Sequence, residues 1–148
     1  MFIKTQKLYY EICFVDCIER SRGFTIPKNG CFYVFDFHAI VYFEIDTGKV
    51  IEIEDEWEYD LEKSVIILNG VKIPFIGFEG TPILEKQGVG KLELKNSSIK
   101  LIKEDGNVEV WNLENFSGDW EQVTFDSSRN AFLFGAPYDF DYRYITIP

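Results

Sequence analysis

Short stretches in which apolar and polar residues alternate, each closed by a two- or three-residue turn signal, constrain this chain more than any other feature. Lys91-Leu92-Glu93-Leu94-Lys95 alternates residue by residue, and Asn96-Ser97 follows it. A period of two puts successive side chains on opposite faces of a strand, so one face can be buried and the other solvated. Ser64–Leu68 and Val71–Ile76 flank Asn69-Gly70, a pair that tolerates the positive φ of a tight hairpin turn. The same logic applies around Asp46-Thr47-Gly48 and Asp105-Gly106, and across Ser127–Asn130. Sequential hairpins pair side by side. The predicted fold is therefore mainly β: an antiparallel meander of about nine to eleven strands, closed as a barrel or stacked as a two-layer sandwich.

Strands are expected at Leu8–Val15, within the long aromatic run Cys31–Ile45, and at Tyr138–Ile147. Ser21–Gly30 and Thr81–Gly90, rich in Gly and Pro, are read as loops. Pro74 lacks an N–H and predicts an edge position for its strand. One short helix is predicted, over Glu54–Lys63, with Trp57 and Leu61 at i, i+4. At 148 residues the chain fits one domain, 1–148. An aromatic content of 17% suits pleated, half-buried surfaces and argues against disorder.

No apolar run approaches the roughly 18 residues of a membrane-spanning helix. Met1–Lys7 carries no signal-peptide pattern. Three cysteines cannot all pair within one chain, which favours free thiols and a cytoplasmic setting.

The formal charge is −10, and it is unevenly spread. Residues 31–63 hold ten acids and two bases. Within them Glu52, Glu54, Asp55, Glu56, Glu58, Asp60 and Glu62 form a run with no base, interleaved with Trp57 and Tyr59. Such a field repels phosphate and anionic lipid, so neither nucleic acid nor membrane is an expected partner. It attracts cationic surfaces, and aromatics beside charge are typical binding anchors. Glu54, Asp55, Glu56, Trp57, Glu58, Tyr59 and Asp60 are therefore the predicted docking face. A solvated, solubilising surface is the plainer alternative.

Trp111, Asp119 and Trp120, around an aromatic-bearing loop, form a secondary candidate. Tyr138, Phe140, Tyr142 and Tyr144 recur at period two. They read as an inward core face or as an exposed ring platform. Cys13, Cys17, Cys31 and His38 could be written as a zinc set, but their spacing matches no common finger or ribbon. No metal or other cofactor is predicted.

No nucleophile elbow, P-loop or dinucleotide fingerprint is present. A carboxylate-pair hydrolase is conceivable, but 25 acids make some such pair inevitable. The expectation is a non-enzymatic module that docks on a basic protein. An inhibitor or immunity protein occluding a toxin nuclease is the leading version, because a nuclease presents Lys and Arg to phosphate. The alternative is a β-barrel that holds a small apolar or sugar ligand.

Overall fold

In the computed structural model, the described residues are 5–8, 23–36, 38–77, 80–113, 120–137 and 141–147. They form fifteen strands. The first eight are β1 (Thr5–Leu8), β2 (Gly23–Thr25), β3 (Cys31–Phe35), β4 (Ile40–Glu44), β5 (Val50–Glu52), β6 (Trp57–Asp60), β7 (Val65–Leu68) and β8 (Val71–Gly77). The rest are β9 (Glu85–Lys86), β10 (Gly90–Lys95), β11 (Ser98–Lys103), β12 (Val108–Asn112), β13 (Gln122–Phe125), β14 (Ala131–Ala136) and β15 (Asp141–Thr146). Every pairing is antiparallel. The predicted antiparallel β class is the one the chain adopts. Among the described residues no helix is long and apolar enough to cross a membrane.

Three sheets result: a seven-stranded one ordered β5-β4-β3-β2-β8-β7-β6, and two of four strands, β12-β11-β10-β9 and β1-β15-β14-β13. The turn chemistry explains the hairpins. Asn69 and Gly70 sit at φ 51° and 78°, and Asn96 and Ser97 at 49° and 62°. Positive φ at both central residues matches the twist of the flanking strands.

The β1-β15-β14-β13 sheet is a middle layer. On one side Ala131, Leu133, Tyr142 and Tyr144 pack against Phe24, Phe32, Val34, Val41 and Phe43 of the seven-stranded sheet. On the other, Phe132, Phe134, Ala136 and Ile145 pack against Leu92, Ile99 and Leu101. Burial on both faces leaves β14 no polar face to alternate with, and all six of its residues are buried.

The seven-stranded sheet also curls. Phe35 on β3 lies 6.3 Å from Trp57 and 6.2 Å from Tyr59 on β6, four strands away. In a flat sheet that separation would be roughly 19 Å. Phe35, Ile40, Ile66, Leu68 and Phe75 fill the concave face.

Four local expectations are corrected. Glu54–Lys63 is not a helix: it is β6 followed by a turn over 61–64. A helix would set Trp57 and Tyr59 about 200° apart, whereas strand geometry sends both rings to Phe35. The supposed loop Ser21–Gly30 contains β2, which sits in the middle of its sheet. Gly23 is there for packing, since a Cβ would lie 2.6 Å from the Ile76 carbonyl oxygen. Thr81–Gly90 includes the two-residue β9. Pro74 lies in an interior strand, but at the point where β2 pairing ends: Thr25 opposes Phe75, and Ile26 N–H donates to the Pro74 carbonyl at 3.2 Å. Of the expected strand Leu8–Val15, residues beyond Leu8 lie outside the described residues, as do Tyr138 and Phe140.

Candidate functional site

The acidic segment is placed by the curl of the large sheet. The chain leaves β5 at one edge and enters β6 at the other. Ile53 anchors the crossing: its N–H donates to the Ile40 carbonyl at 3.0 Å, and its side chain packs on the aromatic cluster. Glu52, Glu54, Asp55 and Glu56 are exposed along it. Strand alternation then turns Trp57 and Tyr59 inward and Glu58 outward. Asp55 Oδ2 accepts from Asn69 Nδ2 at 3.3 Å, which ties the crossing to the β7–β8 turn. Asp60 is half-buried and its carboxylate accepts from the Lys63 N–H at 3.1 Å, closing the next turn.

The charges of Glu54, Asp55, Glu56 and Glu58 are not neutralised by an ion pair among the described residues. The ion pairs there are Lys103–Glu109, Arg129–Asp46 and Arg143–Asp141. An open recess of about 430 Å³ is lined by Glu56, Trp57, Glu58, Ile67, Asn69 and Gly70. Of the acids, Glu56 and Glu58 line it on either side of Trp57, while Glu54 and Asp55 are exposed just before them in the chain. Both the Trp57 and Tyr59 rings pack beside Phe35, and of the two Trp57 is the one that also lines the recess.

The secondary candidates fall elsewhere. Trp111 stacks edge-on to Phe132 at 5.0 Å. Trp120 donates its indole N–H to the Gly77 carbonyl at 3.1 Å, at the far end of β8 from the Asn69-Gly70 turn. Asp119 lies outside the described residues. The described part of the C-terminal ladder, Tyr142 and Tyr144, is core.

Cys31 and His38 stand at opposite ends of β3, about 17 Å of strand apart. Cys13 and Cys17 lie outside the described residues. Burial pushes the Cys31 thiol up, against a hydrogen bond with Tyr42 that pulls it down. Asp36 accepts from the backbone N–H of His38 and of Ala39, both at 2.7 Å, and so shapes the β3–β4 turn.

A polar constellation with no motif in the sequence surrounds Asp126. Asp126 is 0% exposed. Its Oδ1 accepts from Ser128 N–H at 2.7 Å, Ser128 Oγ at 3.0 Å and Arg129 N–H at 3.0 Å. Its Oδ2 accepts from the Tyr144 hydroxyl at 2.6 Å. Lys86 on β9 donates to the carbonyls of Asp126 and Arg129 at 2.9 and 2.6 Å. Arg129 grips Asp46, in the β4–β5 turn, through two bonds of 2.9 and 2.8 Å. One loop thus links all three sheets. Burial first, then the bond to Asp126, hold the Tyr144 hydroxyl above the ordinary tyrosine range.

The hydrogen bond from Arg129 draws the Asp46 carboxyl below its usual value. The contribution of that pair is therefore complete above the unfolded value near pH 4 and fades as pH falls through the lower folded value. Asp46→Asn should lower the urea midpoint slightly at pH 7, as befits an exposed pair, and by less at pH 2. Paired urea titrations at the two pH values check this.

The chain matches no protein-family model, no curated protein and no solved structure.

Proposed function

We propose that this chain is a non-enzymatic, cytoplasmic protein-binding module whose anionic rim docks on a basic partner. An inhibitor or immunity protein that occludes a toxin nuclease is the version favoured here. One observation carries the proposal: Glu54, Asp55, Glu56 and Glu58 are exposed together along one edge of the curled sheet and lack ion-pair partners among the described residues. Clustered, uncompensated carboxylates repel one another, and a cationic surface relieves that repulsion. They also accelerate encounter with such a surface. Trp57 lines the recess between Glu56 and Glu58 and, though its ring leans on Phe35, leaves a partly exposed apolar surface beside the charge. The rival reading, a barrel around a small ligand, has less support, because aromatic and aliphatic side chains occupy the concave face.

The test is charge reversal at three exposed positions, Glu54→Lys, Glu56→Lys and Glu58→Lys together. The partner captured by the wild-type chain is expected to be strongly basic. At low ionic strength the triple variant should associate with it about 100-fold more slowly. Circular dichroism and the thermal midpoint should stay close to wild type, since none of the three side chains is buried. An unchanged rate would remove these residues from the interface.

A further inference from the structure

We infer that the free edge of β12 is a self-association surface, on which a second copy of this chain adds its own β12 to form one continuous eight-stranded sheet. Lys103 N–H donates to the Asn107 carbonyl, and Leu113 N–H to the Ser97 carbonyl. These bonds fix the parity of the strand. Glu109 and Trp111 turn their backbone groups toward β11, while Val108, Val110 and Asn112 turn theirs to the open side. β12 ends its sheet, and no strand among the described residues pairs with that side.

Among the described residues the other sheet edges are shorter or guarded, β1 and β13 having four residues each. β9 has two residues and β5 three, while β6, at four, points Glu58 outward. β12 has five, without proline, and shows Val108 and Val110 at 50% and 54% exposure on its outer face. An unblocked apolar edge of this kind is a template for strand addition.

Two features select a second copy as the occupant. The first is register. A twofold axis through Val110 sets that residue against the partner's Val110 and Val108 against the partner's Asn112. Glu109 then faces the partner's Trp111, so no like charges stand directly opposite. The second is charge. Residues 85–112 hold five lysines and five acids and are neutral, in a chain of net charge −10. Two copies meeting here avoid the repulsion that would oppose contact through residues 31–63. The anionic rim of each copy stays free.

Sedimentation velocity of the full chain alone, from about 10 to 500 µM, tests this; a small interface of this type is a weak one. Wild type should shift to the mass of a dimer within that range. Val110→Lys sets two ammonium groups across the twofold axis and should raise the dissociation constant at least about tenfold. Val110→Pro should do the same, because the N–H it removes points away from β11. Glu58→Lys should leave the dimer intact. A wild-type chain that stays monomeric throughout, leaving the edge to some other protein, would overturn the inference. So would a dimer that survives both substitutions at Val110.

Discussion

The Asp126→Ala variant should be less stable than wild type by about 3–4 kcal/mol, measured by urea unfolding at pH 7. The carboxylate is fully buried and accepts from Ser128, Arg129 and Tyr144. Alanine would strip the buried Tyr144 hydroxyl and the turn N–H groups of Ser128 and Arg129 of their shared acceptor, and losing an acceptor costs about 1–3 kcal/mol for a buried donor and less for those nearer solvent. Tyr144→Phe, which removes one bond and leaves the carboxylate its others, should cost only about 1 kcal/mol. The same variant should flatten the alkaline limb of the stability curve. A tyrosine held above its ordinary range when folded stabilises fully below the unfolded value near pH 10. That contribution is lost as pH rises toward the folded value. If Asp126→Ala cost under about 1 kcal/mol, the loop would not be the clasp between sheets described above.

Phe132 and Leu133 supply the second large effect, and the informative point is that both should show it. In a strand with one solvated face, one of any two neighbours is nearly neutral to substitution. Here Phe132 is buried against Trp111 and the β9–β12 sheet, and Leu133 against the seven-stranded sheet. Phe132→Ala should cost about 3–5 kcal/mol and Leu133→Ala about 2.5–5 kcal/mol. A near-neutral result at either position would mean that β14 is not the middle of three layers.

Much of the architecture was readable because hairpin formation is local. Asn69-Gly70 and Asn96-Ser97 are turns whose backbone requirement is written in the residues themselves. The alternation of Leu92 and Leu94 is likewise local. The misreading of Glu54–Lys63 shows the limit. Glu, Leu and Lys favour a helix by propensity, but Trp57 and Tyr59, two apart, carry the strand period. Burial beside Phe35 decided between them, and Phe35 is far away in sequence. Gly23 misled for the same reason. As a residue type it signals a break, yet here it lets β2 approach Ile76 closely.

For the candidate site, composition located the acids, and strand alternation could have sorted them. Glu58 had to face away from Trp57 and Tyr59 once β6 was a strand. Composition could not foresee that Tyr59 would be spent on the core. The Asp126 network was harder still. Its local part, an Asp followed by Ser-Ser-Arg, is an ordinary turn signal. Its long-range partners, Asp46, Lys86 and Tyr144, come together only through the stacking of three sheets.

The measurement that bears most directly on the central claim is the association rate with the captured basic partner as a function of ionic strength, for wild type and for the Glu54, Glu56 and Glu58 reversal. If the anionic rim steers docking, the wild-type rate falls steeply from about 20 to 500 mM salt, as screening shortens the reach of the rim. The variant starts low and changes little. Parallel curves for the two proteins would place the contact on another face and contradict the account.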